Sequence, residues 1–242
     1  MKKRIIYLVA MVLLLVSCGP TESYLYLILD ITDNVKAVIR IDTSDDRCCW
    51  SGNEEITILS TSAENCSATM SDIDEDMQYA LYPADMEATV VDDRVVTTLT
   101  QCREYSNIAE PLMVARWENG DVLFEEASAM LCLNLSCAGV ENRLLKSITL
   151  SSESQAIAGR VEIDCNELSM HFVDNLQSAI SVQGVDTMLA AESKPFYIAM
   201  PPLDFEDGEL CVTYEFEDGV QSIMLPAIKL LRGETCSLNH SL

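Results

Sequence analysis

Basic side chains, histidine and aromatic residues are all scarce in this sequence of 242 residues. It carries 15 lysines and arginines against 39 aspartates and glutamates, and its formal net charge is −24. Only 6% of the residues are aromatic, and there are two histidines. A surface of this sign repels phosphate groups, so the charge argues against nucleic acid and anionic lipid headgroups as ligands.

Catalytic motifs are missing as well. The sequence has no GxSxG, HExxH, GxGxxG or P-loop pattern, and no CxxC pair. His171 lies in an alternating segment that predicts a strand, and His240 lies two residues from the C-terminus, a poor place for a rigid site. Ser151, Ser152 and Ser154 have no base near them in sequence and predict a polar turn. We therefore expect no catalytic residue, no cofactor and no enzymatic activity.

A metal site is equally weakly indicated. Asp72, Asp74 and Asp76 have the spacing of the first three ligands of a calcium loop, but Met77 stands where such a loop needs glycine. A solvated acidic loop is the simpler interpretation.

Besides Cys18 the chain has nine cysteines, an odd number, and most are expected to be small buried apolar residues. The adjacent pair Cys48 and Cys49 is the most plausible exception.

The N-terminus has the layout of a secretory signal. Lys2, Lys3 and Arg4 precede an apolar run over residues 5–16, which is too short to span a membrane. The run ends in "LVSC", which resembles the bacterial lipobox whose cysteine receives a diacylglyceryl group. We expect removal of residues 1–17, lipidation of Cys18 and a short tether over residues 18–23. A plain signal peptide with a chance cysteine is the alternative.

The rest of the chain alternates with period two or runs in short β-branched segments, and it predicts a mainly β protein. Strands are expected at residues 24–29, 35–41, 55–59 and 78–82, and an apolar face at Leu131, Leu133 and Leu135. Residues 145–150 and 160–163 are expected to be neighbouring strands, with Gly159 at a bulge or a close approach. Short helices are considered at residues 125–130 and 164–168.

The last fifty residues show the most regular spacing of strand and turn segments. "FEDG" occurs at residues 205–208 and again at 216–219. Because Asp-Gly favours hairpin turns, residues 210–216 and 220–225 should pair as antiparallel strands, and the chain should end as a meander. A boundary near residues 115–120 would give two β-sandwich domains, at residues 24–116 and 117–242.

A series of segments in this order resembles the fimbrillin family of bacterial surface lipoproteins, made by anaerobic diderm bacteria. The segments begin at the lipobox cysteine Cys18 and span nearly the whole chain after it. They are Trp50 with "SGNEEITIL", "YALYPAD", "PLMVAR", "VLFEEASAMLCLNL", "KSITLSS", "AIAGRVEID", "FYIAMPP" and "LLRGETCSL". The chain departs from the family in being short for a stalk subunit and in having "NEE" where a Gly-Asp turn is more familiar.

The resemblance implies two β-sandwich domains of transthyretin-like topology. It also implies partners: other fimbrial subunits joined by strand exchange, in which a strand of one subunit fills an apolar groove in the next. In polymerising members an arginine-specific protease first removes an N-terminal strand. Arg47 in "TSDDRCCW" is the preferred cleavage site here and Arg40 the second, although both arginines have a simpler interpretation as solvated ends of a strand and a turn.

The primary hypothesis is a non-enzymatic, lipid-anchored, fimbrillin-like protein of the outer membrane, at the cell surface or in a fimbrium, that contributes to adhesion. The alternative is a monomeric surface lipoprotein that binds a glycan or a host protein without polymerising. A carboxylate-based hydrolase is least favoured, because Trp50 and Trp117 are the only tryptophans available as sugar-binding platforms.

Overall fold

The computed structural model describes residues 37–42, 47–54, 56–59, 66–68, 79–83, 86–106, 110–118, 121–137 and 142–242. Every regular element in these ranges is a β-strand, so the predicted mainly β class is confirmed. The two short helices considered from sequence are wrong. Residues 125–130 end one strand and begin the next, and residues 164–168 form a turn at a strand end. The described chain holds no helix long and apolar enough to cross a membrane.

The strands follow from segments rich in β-branched and apolar residues, divided by Asp, Asn, Gly and Ser. The strands within residues 37–126 are β1 (Ala37–Asp42), β2 (Arg47–Glu54), β3 (Ile56–Leu59), β4 (Cys66–Ala68), β5 (Tyr79–Tyr82), β6 (Ala88–Val91), β7 (Arg94–Leu99), β8 (Cys102–Glu104), β9 (Met113–Glu118) and β10 (Asp121–Glu126). Of those expected, residues 55–59 and 78–82 match β3 and β5 within one residue, and residues 35–41 match β1 within two.

The strands within residues 129–241 are longer and more regular. They are β11 (Ala129–Ser136), β12 (Arg143–Ser152), β13 (Ala158–Asp164), β14 (Met170–Gln177), β15 (Ala179–Gln183), β16 (Thr187–Leu189), β17 (Lys194–Met200), β18 (Asp204–Phe205), β19 (Leu210–Phe216), β20 (Gly219–Met224), β21 (Ile228–Lys229) and β22 (Thr235–Ser241).

One sandwich-like pair of sheets shares an apolar core. The first sheet has the order β10-β9-β5-β3-β4, and the second has the order β14-β13-β7-β6. Their core-facing side chains come from both sheets and are less than a tenth exposed: Leu59, Tyr79, Leu81, Val114, Ala88, Val95, Leu99, Val161 and Ile163. The two sheets therefore bury one face each against the other.

A second, larger core lies between two other sheets. One has the order β17-β11-β22, and the other has the order β20-β19-β12-β15-β8 with β16 also on β12. The predicted apolar face of β11 is confirmed, because Leu131, Leu133 and Leu135 are completely buried. Opposite them lies the inner face of β19, whose alternating side chains are at most 3% exposed: Leu210, Val212, Tyr214 and Phe216.

The two cores do not follow chain order. Strand β13 pairs antiparallel with β7, and the β13–β14 hairpin belongs to the first core. Strand β8 in turn pairs with β15 of the second core. The expected neighbours 145–150 and 160–163 are consequently in different sheets, and that prediction is wrong. The division at residues 116 and 117 stays a prediction, and it falls inside the β9–β10 hairpin.

The C-terminal strands pair only partly as their turn residues predict. β19 and β20 pair antiparallel, with Phe216 opposite Gly219, so the predicted Asp-Gly hairpin is confirmed. The expected meander is wrong, because β22 leaves this sheet and pairs parallel with β11. The earlier "FEDG" joins β18, which pairs with β21, to β19.

The connection from β10 to β11 links the two cores. Ala127 belongs to the first core and Ala129 to the second. Between them, the buried Ser128 accepts a hydrogen bond from the Leu112 amide through its Oγ at 2.9 Å, and its carbonyl accepts one from the Gly233 amide at 2.9 Å. These two hydrogen bonds thus hold the connection against both cores.

Candidate functional site

The residues predicted from sequence for anchoring and processing are placed only in part. Cys18 lies outside the described residues. Arg40 lies inside β1, opposite Cys49 of β2, and Arg47 is the first residue of β2, opposite Asp42. The expected loop position of Arg47 is therefore a strand end that follows residues 43–46.

The described side chains form no metal-binding cluster, because no three histidine, cysteine, aspartate or glutamate side chains among them lie close enough to hold a metal ion. His171 is an exposed residue of β14, as expected for a strand. Ser151 and Ser152 are the last two residues of β12, and Ser152 hydrogen-bonds Ser154 in the bend that follows at 3.1 Å, so the predicted polar turn is right for Ser154 and wrong for the other two serines. The acidic segment 72–76 lies outside the described residues.

The six cysteines whose side chains are described form no disulfide bond with one another: Cys102, Cys132, Cys137, Cys165, Cys211 and Cys236. Cys132, Cys137 and Cys165 are buried, which confirms for these three the interpretation as small apolar core residues. Cys211 and Cys236 are partly exposed, and Cys102 is exposed. The side chains of the Cys48–Cys49 pair lie outside the described part.

Sheet edges are the feature of this fold best suited to binding another chain, because an edge strand presents unpaired backbone N–H and C=O groups. The last strand, β22, is such an edge, since among the described strands it pairs with β11 alone. Its side chains alternate: Cys236, Leu238 and His240 are partly buried, while Ser237 and Asn239 are exposed. Cys236 and Leu238 pack on the second core, so β22 covers part of that core.

A buried polar pair fixes β22 across the sandwich. Tyr214, on the inner face of β19, is completely buried, and its hydroxyl shares a hydrogen bond with Nδ1 of His240. The two rings meet edge to face with centroids 5.9 Å apart. Burial raises the pKa of Tyr214 and lowers the pKa of His240, so the neutral forms of both groups are favoured.

At the other edge of the β17-β11-β22 sheet, an arginine joins β17 to the edge strand β8 of the facing sheet. Arg103 of β8 donates a hydrogen bond from Nη1 to the carbonyl of Ala199 on β17 at 2.8 Å, and one from Nε to the Thr100 carbonyl at 3.4 Å. Burial lowers the pKa of this guanidinium to about 10. Because β8 and β17 are edge strands of the two facing sheets, the bond closes one side of the sandwich.

The edge strand β14 of the first core is irregular. Its pairing with β13 slips twice, between Ala158 and Val161, and it carries Asn175 at a φ of 51°. Gly159 has a φ of +130°, and a Cβ there would lie 2.7 Å from the Asn175 carbonyl oxygen. The expected bulge and close approach at Gly159 are thus confirmed. Bulges of this kind twist an edge away from further pairing.

Two contacts between strands could not be predicted from the sequence. Position near the C-terminus argued against any rigid role for His240, yet it is held by Tyr214. The partner carbonyl of Arg103 lies almost a hundred residues away. In both cases the missing information is which strands share a core, and no local pattern carries it.

Comparison with known proteins finds matching solved structures but no matching sequence family. No model of a known protein family matches the sequence, and no curated protein matches it significantly. A crystal structure from Bacteroides ovatus, described as a "putative cell adhesion protein", matches 86% of this chain and 91% of its own length. The identity is 9% and the TM-score is 0.51.

Two further crystal structures match more loosely. A Bacteroides uniformis protein of the same description matches 86% of this chain and 95% of its own, at 12% identity and a TM-score of 0.47. A "fimbrial protein" from Bacteroides vulgatus matches 82% and 78%, at 8% identity and a TM-score of 0.37. Because both scores are below 0.5, the fold assignment rests on the first likeness: this chain has a fold similar to that of the Bacteroides ovatus protein.

Proposed function

We propose that this chain is a lipid-anchored surface protein of a fimbria-related adhesion system, and that it joins other fimbrial subunits by strand exchange. The observation that carries the proposal is the position of β22, an edge strand that pairs with β11 alone among the described strands and covers part of the second core. The fold similarity to the Bacteroides ovatus protein described in terms of cell adhesion supports the same role. A non-enzymatic character is part of this proposal.

The edge position of β22 makes it suitable for exchange. A strand that pairs on one side only leaves its sheet by breaking a single ladder, here the one with β11. When it leaves, Leu131 and Leu133 of β11 lose their covering neighbours Cys236 and Leu238. The exposed groove is apolar and flanked by free backbone groups, and a strand from another subunit would satisfy both.

The proposed lipid on Cys18 would determine where the protein acts. Two or three acyl chains on Cys18 would hold it stably in the outer membrane, whereas one chain would be marginal. Cleavage at Arg47, the first residue of β2, would separate the following strands from the lipid, and cleavage at Arg40 would act inside β1. A cleaved chain could enter a fimbrium, while an uncleaved chain would stay at the membrane as a base or accessory protein.

Lipid labelling tests the anchor. Cells that express the full chain and the Cys18→Ala variant are fed a labelled fatty acid, and membranes and medium are then separated. We expect label and membrane retention in the natural chain and loss of both in the variant. Cys102→Ala, at an exposed cysteine, is the matched control and should keep the label. Label that persists without Cys18 would contradict the anchor.

Assembly is tested separately. Membrane extracts are treated with an arginine-specific protease and run on gels without boiling. A ladder of SDS-resistant oligomers is the expected result for a fimbrial subunit. A chain that stays monomeric and binds a glycan on an array would instead support the alternative of a monomeric surface binding protein.

A further inference from the structure

The edge strand β20 differs from the edge strands β14, β17 and β8. Its sequence, GVQSIM, contains no charged residue and no proline, and its pairing with β19 has no bulge. Val220 is 66% exposed and Met224 is 57% exposed. In contrast, β14 is bulged, the Ala199 carbonyl on β17 is bonded to Arg103, and β8 has three residues, two of them charged. An uncharged, regular edge with exposed apolar side chains is the kind that pairs with another strand.

The hydrogen bonds of the hairpin show which backbone groups β20 leaves open. Phe216 and Gly219 close a two-residue turn, and the Leu225 amide donates to the Leu210 carbonyl at 2.8 Å. Hydrogen-bonded and non-hydrogen-bonded pairs alternate along an antiparallel ladder. The N–H and C=O groups of Val220, Ser222 and Met224 therefore point away from β19, toward the free edge.

We propose that β20 pairs with β20 of a second copy of this chain, antiparallel and centred on Ser222. In this register Ser222 lies opposite Ser222 of the second copy, and Val220 lies opposite Met224. All the outward backbone groups of the three residues are satisfied, by six hydrogen bonds on the ladder rule. Each exposed apolar side chain meets an apolar side chain, so the strand is complementary to itself.

Polar side chains on the outer sheet face fit the same register. Ser181, Thr149, Thr213 and Ser222 form one row across four strands, with hydroxyl contacts Thr149–Ser181 at 3.0 Å and Thr213–Ser222 at 2.9 Å. Pairing at Ser222 continues this row into the second copy. The acidic turn of one hairpin, Glu217–Asp218, comes to lie at the opposite end from that of its partner, so the antiparallel arrangement keeps these like charges apart.

The expected dimer is weak and depends on salt. A strand of six residues is about 20 Å long and a sheet about 10 Å thick, so pairing hides on the order of 400 Å² in total, well below the roughly 1,200 Å² of stable complexes. The formal charge of −24 on each copy also opposes association. Screening by salt should therefore strengthen the dimer, and chains crowded on one membrane should populate it most.

A proline at Ser222 tests the pairing with little change to the hairpin. Because the Ser222 N–H points away from β19, proline removes an outward donor only. Ser222→Ala is the matched control, since it loses the same hydroxyl and keeps the N–H. By sedimentation of the mature chain in density-matched detergent at high salt, we expect dimers for the natural chain and Ser222→Ala, and at least a tenfold weaker association for Ser222→Pro. Thermal unfolding checks that each variant is folded.

A charge pair tests the register. Val220→Lys with Met224→Lys places like charges opposite each other and should abolish the dimer, whereas Val220→Lys with Met224→Glu places opposite charges together and should restore it. The proposal is overturned if the natural chain is monomeric at the highest concentration reached, if Ser222→Pro dimerises as well as Ser222→Ala, or if the two charge variants behave alike. Strand exchange through β22 does not depend on any of these results.

Discussion

The hydroxyl of Tyr214 and Nδ1 of His240 are hydrogen-bonded inside the larger core, so the centre of β19 is tied to the last strand of the chain. Tyr214 faces the core from one sheet, and His240 belongs to the edge strand of the facing sheet. Because β22 is the strand proposed to leave its sheet, this bond is part of what must break when it does.

Tyr214→Phe removes the hydroxyl and leaves the His240 nitrogen without this partner. We expect the free energy of unfolding to fall by about 1–2 kcal/mol, as for a buried neutral hydrogen bond. A double-mutant cycle with His240→Leu separates the bond from the packing of the rings. Urea unfolding at neutral pH measures it, and a coupling energy near zero would show that the pair does not stabilise β22.

Acidification should reduce the contribution of His240 to the free energy of unfolding. Burial lowers its pKa in the folded chain, so below the ordinary histidine pKa of about 6.5 the unfolded chain binds more protons than the folded one. Stability therefore rises with pH in this range and is lost as pH falls toward the folded pKa. We expect the stability advantage of the natural chain over His240→Leu to shrink between pH 7.5 and pH 5. An advantage that is constant or grows on acidification would contradict this assignment.

Gly159→Ala should be strongly destabilising. Its Cβ would lie 2.7 Å from the Asn175 carbonyl, a backbone atom that cannot rotate away, and the φ of +130° is strained for alanine. We expect a loss of about 3 kcal/mol or more in the free energy of unfolding. Gly219→Ala is the matched control, because its φ is also positive, at 152°, but nothing lies within 4 Å of the added carbon. Equal losses at the two sites would show that the contact has no effect.

Ser128→Ala tests the connection between the two cores. The change leaves the buried Leu112 amide without the Oγ that accepts its hydrogen bond at 2.9 Å. A loss of about 1–3 kcal/mol in the free energy of unfolding is expected for an unsatisfied buried donor. Ser237→Ala, on the exposed face of β22, should change stability by less than about 0.5 kcal/mol. Thermal unfolding of both variants makes the comparison.

Local patterns predicted the elements of this fold well. Alternation predicted the apolar face of β11, and the Asp-Gly pair predicted the turn between β19 and β20, because both signals lie within a few neighbouring residues. The glycine at 159 was also informative, since only a residue without Cβ tolerates the approach of Asn175.

Pairing between distant strands could not be predicted in this way. The two "FEDG" segments have the same residues, yet one closes a hairpin and the other connects strands of different pairings. Strand β22 pairs parallel with β11, about a hundred residues earlier, and β13 pairs with β7. These choices depend on which apolar faces bury each other in the whole chain. For the same reason the roles of His240 and Arg103 became visible only in the structure.

Exchange of β22 is the central claim, and a reversible lock tests it most directly. Asn134 of β11 lies opposite Asn239 of β22, so Asn134→Cys with Asn239→Cys places two thiols across the pair. Asn239→Cys alone is the control. SDS-resistant oligomers are measured in membrane extracts treated with the arginine-specific protease, under oxidising and reducing conditions. The locked chain should remain monomeric until it is reduced, while the natural chain and the control assemble in both states. Oligomers of the locked chain under oxidation, or none from the natural chain, would contradict exchange of this strand.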